Sequence, residues 1–178
     1  DGPYDYYPLP YGSNLCRAGC GPTTVAMITA SFVDRNITPQ TIVENYRQMG
    51  YYLGPRGSYY YDAEKILKSY GFRVAYIFAN NQQKTIYQVM RQYGRIIKNY
   101  QTSGWTFLAL ANFCDPHPCE NNPKEICSCG HFFWIVKIDD NFNTWAYDPF
   151  YGRFLPRPYN EKIHYPFPKY RVIFGVKK

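Results

Sequence analysis

The spacing of hydrophobic and polar positions along the chain predicts its helices. From Cys20 to Phe32, apolar residues fall on nearly every face of a helix, which indicates a central helix that is buried on most sides. A second helix is predicted to begin at Pro39, with Thr38 as its N-cap and Gly50 as its terminator. Its expected inward positions are Ile42, Val43, Tyr46 and Met49.

Two more helices and a series of strands follow. A short helix is predicted over residues 62–70, closed by Gly71, and helical spacing returns over residues 86–100, with Gly94 as a weak point where that helix could break. Strand-like runs cover residues 73–78, 105–111, 131–138, 144–147 and 170–176. Helices first and antiparallel strands afterwards predict an α+β fold.

The length of the chain favours a single domain. Its 178 residues suffice for one buried core and are too few for two ordinary domains, so we predict one domain over residues 1–178. Prolines interrupt every periodic pattern in residues 1–19, which we interpret as an N-terminal arm that lies across the body. Residues 112–130 hold four cysteines and three prolines and are expected to form an irregular, cysteine-rich insertion.

Composition and charge narrow the class of partner. Aromatic residues make up 20% of the chain, so long loops packed with aromatic side chains are expected. The formal net charge of +7 is spread over single lysines and arginines, which favours anionic partners such as cell-wall polymers over nucleic acid. No apolar run reaches the length of a membrane span. We expect a monomer with no cofactor.

The cysteine content favours an oxidising compartment. Six cysteines in 178 residues are more than a cytosolic chain usually carries without a metal or redox task, so we expect a secreted or cell-surface protein. The first residues lack the layout of a signal peptide, and we expect the sequence to begin after processing.

The pairing of these cysteines is left open by the sequence. If Cys20 is a free thiol, at most two bridges can form and one further cysteine remains. Disulfides are favoured over a zinc site completed by His117, because the spacings within the insertion are not those of paired zinc ligands. Cys16 is a candidate partner for the insertion, and His117 and His164 are otherwise loop residues beside prolines. The five cysteines concerned are Cys16, Cys114, Cys119, Cys127 and Cys129.

Three residues suggest nucleophilic catalysis. Cys20 opens an apolar helix, where unpaired N–H groups and the helix dipole favour a thiolate. His131 stands near the start of a strand, and Asp148 follows another. Each has an ordinary structural explanation alone, as a buried cysteine, a packed histidine or a turn residue, but their conjunction predicts a Cys-His-Asp triad. Asn14 is interpreted equally as an oxyanion donor or as the cap of a turn.

These motifs also resemble a known family. The phrases GCGPTTVAMI, GHFFWIV and YDPFYGRF, with Asn14 ahead of them, resemble the papain-like cysteine peptidases of the bacteriocin-processing (double-glycine leader peptidase) type and their secreted relatives over residues 10–154. The resemblance implies a papain-like fold with the nucleophile helix packed on an antiparallel sheet. It implies Cys20 as nucleophile, His131 as general base and acid, and Asp148 as the residue that orients the imidazole.

The chain departs from the family pattern at two places. The family usually has glutamine at the position of Asn14, and the shorter asparagine keeps the amide donor of the oxyanion hole. The cysteine-rich insertion is not part of the pattern. We therefore expect a cysteine peptidase acting on peptide or isopeptide bonds of a peptide or protein substrate. The alternatives are an inactive peptide-binding domain of the same fold, or a transpeptidase or amidase acting on cell-wall peptides.

Overall fold

The computed structural model describes residues 4–120, 122–151, 157–159 and 168–178. Within these ranges there are five α-helices: α1 Leu15–Ala18, α2 Cys20–Phe32, α3 Pro39–Met49, α4 Tyr60–Ser69 and α5 Ile86–Thr102. The strands of the first half are β1 Pro8–Leu9, β2 Ser13–Asn14, β3 Leu53–Gly54, β4 Gly57–Ser58 and β5 Arg73–Lys84. Those of the second half are β6 Thr106–Asn112, β7 His117–Cys119, β8 Asn122–Cys127, β9 Gly130–Ile138, β10 Thr144–Tyr147, β11 Arg157–Tyr159 and β12 Lys169–Lys177.

One antiparallel sheet separates two apolar cores. Its strand order is β11-β10-β9-β6-β12-β5, and every neighbouring pair is antiparallel. Every residue of β6 is buried, and its side chains alternate between the two faces. Leu108 and Leu110 join the core formed with α2, α3 and α4, whereas Phe107 and Ala109 join the core formed with α5. The predicted α+β class with an antiparallel sheet is confirmed.

The capped helices begin where the sequence predicts. Thr38 Oγ1 accepts a hydrogen bond from the backbone N–H of Thr41, and Gly50 ends α3 in the left-handed conformation at φ 70°. Met49 was predicted to face inward, but this is wrong. Its side chain is 58% exposed, because it lies on the last turn of α3, beyond the edge of the core. The helix α5 runs unbroken through Gly94, which is buried against Met90.

The N-terminal arm is more structured than an extended segment. Residues 8–14 form the small β1–β2 hairpin, and the short helix α1 comes directly before α2. The Tyr7 hydroxyl donates to Glu44 Oε1 at 2.7 Å, and Arg47 Nη2 donates to the Pro8 carbonyl at 2.9 Å. These contacts place the arm across α3.

The cysteine-rich insertion contains a hairpin, which corrects the expectation of irregular structure. Strands β7 and β8 pair antiparallel, because two disulfides hold the segment at its base and along its length. The bridges are Cys114–Cys129 and Cys119–Cys127. Cys16 is a free, exposed thiol, so its pairing with the insertion is wrong. His164 lies outside the described residues.

The two remaining structural features concern membrane-spanning helices and metal-ligand clusters. None of the helices in the described ranges has the length and apolar character needed to cross a membrane. Within the same ranges, no group of three or more His, Cys, Asp and Glu side chains is arranged to hold a metal ion.

The cap of α5 gives a test of how these helices are specified. Thr85 Oγ1 accepts from the Gln88 backbone N–H, and the Gln88 side chain accepts from the Thr85 N–H. We expect Thr85→Ala to lower the free energy of unfolding by about 1 kcal/mol, measured by urea denaturation. Thr102→Ala, at the exposed C-terminal end of the same helix, is the control and should have a smaller effect. Equal effects of the two substitutions would contradict the assignment of the cap.

Candidate active site

Cys20 is the first residue of α2, and the preceding glycine makes this position possible. Gly19 turns the chain between α1 and α2, and its N–H donates to the Leu15 carbonyl at 2.9 Å. A Cβ atom on Gly19 would lie 2.3 Å from a Leu15 methyl carbon and 2.6 Å from its carbonyl oxygen. Only glycine fits this turn, so the chain can place Cys20 at a helix N-terminus immediately after a shorter helix.

The first turn of α2 presents backbone donors beside Cys20. The N–H groups of Cys20 and Gly21 have no acceptor inside the helix, since the first-turn N–H groups of any helix lack one. Pro22 has no N–H, and the Thr23 N–H donates to the Gly19 carbonyl at 2.9 Å. The start of α2 can therefore stabilise a negative charge, either on the Cys20 sulfur or on a substrate oxygen next to it.

Gly21 allows the start of α2 to approach the sheet closely. A Cβ atom at this position would lie 2.2 Å from Ser58 Oγ and 3.4 Å from the Phe132 ring. Ser58 ends the β3–β4 hairpin, and Phe132 follows His131 in β9. The absence of a side chain at Gly21 thus brings Cys20 to the strand that carries His131.

The antiparallel pairing of β9 and β10 brings His131 and Asp148 together. His131 is the second residue of β9, and Asp148 comes directly after β10, so both lie at one edge of the sheet. His131 Nε2 donates to Asp148 Oδ1 at 2.6 Å, and the same oxygen accepts from the Phe150 N–H at 2.8 Å. The Asp148 side chain is only 5% exposed. The carboxylate is therefore held in one orientation toward the imidazole.

The environment of His131 favours its protonated form. Burial is the largest single influence and lowers the pKa, but hydrogen bonds with Asp148 and Cys20 and the charges of both groups outweigh it and raise the pKa of His131 to about 10. These two partners therefore favour the imidazolium over the neutral ring. Since Asp148 occupies Nε2, the nitrogen left for Cys20 is Nδ1.

Asn14 caps the short helix that precedes Cys20. Its Oδ1 accepts from the Arg17 backbone N–H at 3.0 Å, as expected for a residue at an N-cap. This bond fixes which end of the amide faces the helix and leaves Nδ2 pointing elsewhere. Within the described ranges Nδ2 donates no hydrogen bond. The residue can therefore cap α1 through Oδ1 and donate to a substrate through Nδ2. Its part in an oxyanion hole stays a prediction.

Sequence reasoning missed the aromatic packing around the histidine. The Phe113 ring packs edge-on against His131 with centroids 5.8 Å apart, Phe133 stacks on the imidazole at 6.3 Å, and the two phenylalanine rings contact each other at 5.9 Å. Phe113 belongs to the insertion, and its N–H donates to the Cys129 carbonyl at 3.2 Å. Phe133 could have been found from the period of β9, since it lies two positions after His131. Phe113 carries no periodic signal.

An ion pair that no sequence motif predicts connects the two hairpins beside the site. Arg56 lies in the turn between β3 and β4, and its Nη1 is 3.3 Å from Oε1 of Glu125 in β8. The first hairpin contacts Gly21 through Ser58, and the second leads into His131. The cysteine-rich hairpin therefore borders the site next to the β3–β4 hairpin.

Comparison with known proteins does not extend this description. The sequence matches no protein-family model and no curated protein. What the site can do is inferred from its geometry and from the motifs that the sequence carries.

The protonation of His131 can be measured directly. Since its pKa is raised to about 10 by Asp148 and Cys20, the ring should stay protonated from neutral pH upward and lose its proton only near that value. Imidazole ¹⁵N chemical shifts followed by NMR report this titration. We expect Asp148→Asn to move the pKa down by more than one unit, because it removes a charged acceptor.

The matched control for this titration is Asp140→Asn. Asp140 is an exposed carboxylate that pairs with Lys98, so its neutralisation should leave the His131 titration unchanged. An imidazole that is already neutral at neutral pH in the unsubstituted protein would contradict the charged state inferred for the site.

Proposed function

We propose that this protein is a cysteine peptidase of papain-like fold that hydrolyses peptide or isopeptide bonds. The observation that supports it most is the contact of His131 with both Asp148 and Cys20 at the start of α2, which raises the pKa of the imidazole. The placement of a nucleophile helix against an antiparallel sheet agrees with the fold that the sequence motifs suggest. A thiol beside a positively charged imidazole at a helix N-terminus is the arrangement that activates sulfur nucleophiles.

Acylation is the first half of the proposed reaction. The Cys20 thiolate adds to the scissile carbonyl carbon, and the electron pair of the C=O bond moves to the oxygen. When the tetrahedral intermediate collapses, the C–N bond breaks, and the imidazolium of His131 gives its proton from Nδ1 to the leaving amine. The products of this half are a free amine, a neutral imidazole and a thioester on Cys20.

Hydrolysis of the thioester completes the cycle. The neutral imidazole of His131 takes a proton from water as the water oxygen attacks the thioester carbonyl carbon. The C–S bond then breaks, the carboxylic acid product leaves, and the thiolate and imidazolium are restored. Asp148 keeps the ring oriented through Nε2 in both halves and stabilises the positive charge each time it returns.

The backbone of α2 and the amide of Asn14 are the proposed oxyanion donors. The Cys20 N–H belongs to the first turn of α2, where N–H groups have no intrahelical acceptor. Asn14 Nδ2 would supply the second donor, oriented by the bond from Arg17 to Oδ1. Such donors act on charge that develops only in the transition state, so their removal lowers kcat.

The proposed place of action is outside the cytosol, as a secreted or cell-surface enzyme. Two disulfides are present in a chain of this size, and such bonds persist in oxidising compartments. The substrate is a peptide or protein. A transpeptidase or amidase acting on cell-wall peptides would form the same thioester and differ only in the acceptor that attacks it.

Selective alkylation tests the nucleophile, and the chain supplies its own control. Cys16 and Cys20 are both free, and Cys16 is the more exposed of the two. At mildly acidic pH, iodoacetamide followed by mass mapping should label Cys20 first, because thiolates and not thiols react. Cys20→Ala should abolish hydrolysis of a fluorogenic peptide library, whereas Cys16→Ala should retain it.

Two results would contradict the peptidase proposal. Labelling of Cys16 ahead of Cys20 would show that exposure and not activation governs reactivity. A wild-type protein that binds peptides without cleaving them would instead favour the inactive peptide-binding domain.

Two substitutions at Asn14 separate its capping role from its proposed catalytic role. Asn14→Asp keeps an oxygen that can accept from the Arg17 N–H but removes the amide donor. We expect its thermal stability to be retained while kcat falls about 10²–10³-fold. Asn14→Ala should lose both stability and kcat. An Asn14→Asp protein with unchanged kcat would restrict Asn14 to the cap.

A further inference from the structure

Four tyrosines form a continuous surface beside the candidate active site. The ring centroids of Tyr11 and Tyr52 are 5.9 Å apart, those of Tyr52 and Tyr59 are 5.7 Å apart, and those of Tyr59 and Tyr61 are 5.0 Å apart. We call these residues the tyrosine row. Tyr11 is 77% exposed, and Tyr59 and Tyr61 are also exposed. A contiguous exposed aromatic patch of this kind marks a binding surface more often than isolated apolar residues do.

The tyrosine row is continuous with the residues around Cys20. Tyr11 lies at the tip of the β1–β2 hairpin, three positions before Asn14. Its ring packs over the β3–β4 hairpin at Gly54, and Ser58 at the end of that hairpin contacts Gly21. Tyr11 thus lies close to Asn14 in the sequence and Tyr59 directly follows Ser58, so the row borders the start of α2 along the β3–β4 hairpin.

Two backbone features hold the outermost ring in place. Tyr11 has φ 61°, a left-handed conformation that bulky residues rarely adopt. A Cβ atom on Gly54 would lie 2.9 Å from the Tyr11 ring and 2.9 Å from the Tyr52 hydroxyl, so both tyrosines use the space that glycine leaves. This arrangement presents the Tyr11 ring to solvent and adds nothing to either core.

We infer that the tyrosine row is a substrate subsite for an extended peptide with aromatic, large aliphatic or proline side chains on one face. This inference rests on the proposed peptidase function, since the row would hold the part of the substrate that extends from the bond at Cys20. In an extended chain, side chains on one face repeat about every 6.6 Å. The ring centroids are 5.0–5.9 Å apart, slightly less than that repeat, so successive substrate side chains can pack on the exposed edges of successive tyrosines.

The orientation of the rings favours a peptide over a glycan. Tyr59 and Tyr61 are stacked with an interplanar angle of 9°, and Tyr11 and Tyr52 with an angle of 24°. Stacked rings cover part of one another's faces and leave edges and crevices exposed. Apolar side chains fit such crevices, whereas sugar rings bind best on open aromatic faces. The hydroxyl groups can stay in water when a peptide binds.

Binding to a protein without the nucleophile tests the subsite independently of catalysis. The probes are two fluorescein-labelled heptapeptides that have serine at every second position. The positions between the serines are phenylalanine in one peptide and alanine in the other. In the Cys20→Ala background, fluorescence anisotropy should show the phenylalanine peptide bound at least about tenfold more tightly. Tyr11→Ala and Tyr59→Ala should each weaken its binding about fivefold to tenfold.

A tyrosine on the opposite side of the sheet supplies the matched control. Tyr87 on α5 is 48% exposed, as is Tyr59, so Tyr87→Ala removes an equally accessible ring and should leave peptide affinity unchanged. Near-ultraviolet circular dichroism checks that each variant is folded. If Tyr11→Ala does not fold, Tyr59→Ala and Tyr61→Ala still test the row.

Three outcomes would overturn the subsite. The first is equal binding of the two peptides, and the second is binding of the phenylalanine peptide that the row substitutions do not weaken. The third is binding of a β-1,4-linked amino-sugar hexamer, in place of the peptide, that depends on the row. Failure of the peptidase proposal has a different signature. Row-dependent peptide binding by a wild-type protein that cleaves no peptide would retain the row as a peptide-binding surface and remove the catalytic step.

Discussion

The close approach of α2 to β9 at Gly21 is the constraint on which the rest of the site depends. A side chain there would collide with Ser58 and push the helix N-terminus away from the strand that carries His131. Cys20 and His131 meet through side chains only a few atoms long, so a small shift would separate them. The buried surroundings of α2, between α3, α4 and the sheet, prevent the helix from moving to compensate.

The remaining part of the site is specified by strand register. His131 and Asp148 come from neighbouring antiparallel strands, and a slip of one residue would turn either side chain to the other face of the sheet. Because the hydrogen bond between them forms on a rigid scaffold, little rearrangement is required when the imidazole gains or loses a proton. The two apolar cores on either side of the sheet maintain this rigidity, and the site lies where the sheet edge meets the start of α2.

Much of the fold could be predicted because its signals are local. The start of α3 follows from Thr38 and Pro39, and its end follows from Gly50, since caps and left-handed glycines act within one turn. The exposure of Met49 and the continuity of α5 at Gly94 could not be predicted, because tertiary packing decides both. The cysteine pairing and the Phe113 contact were also beyond the sequence, since they depend on a hairpin without periodic pattern. Cys20, His131 and Asp148 lie together as their motifs predict. For Asn14 the helix cap, one of the two predicted roles, is present, and the oxyanion role stays a prediction.

The two disulfides are confined to the hairpin that leads into β9, and neither core cluster contains a bridged cysteine. The layers around the sheet thus do not depend on oxidation for their packing, whereas the segment that brings Phe113 against the histidine does. Reduction of the two disulfides is therefore expected to loosen the hairpin beside His131 and to leave the body of the protein folded. The redox state of the surroundings would thus reach the histidine through one hairpin, without involving the free thiol of Cys16.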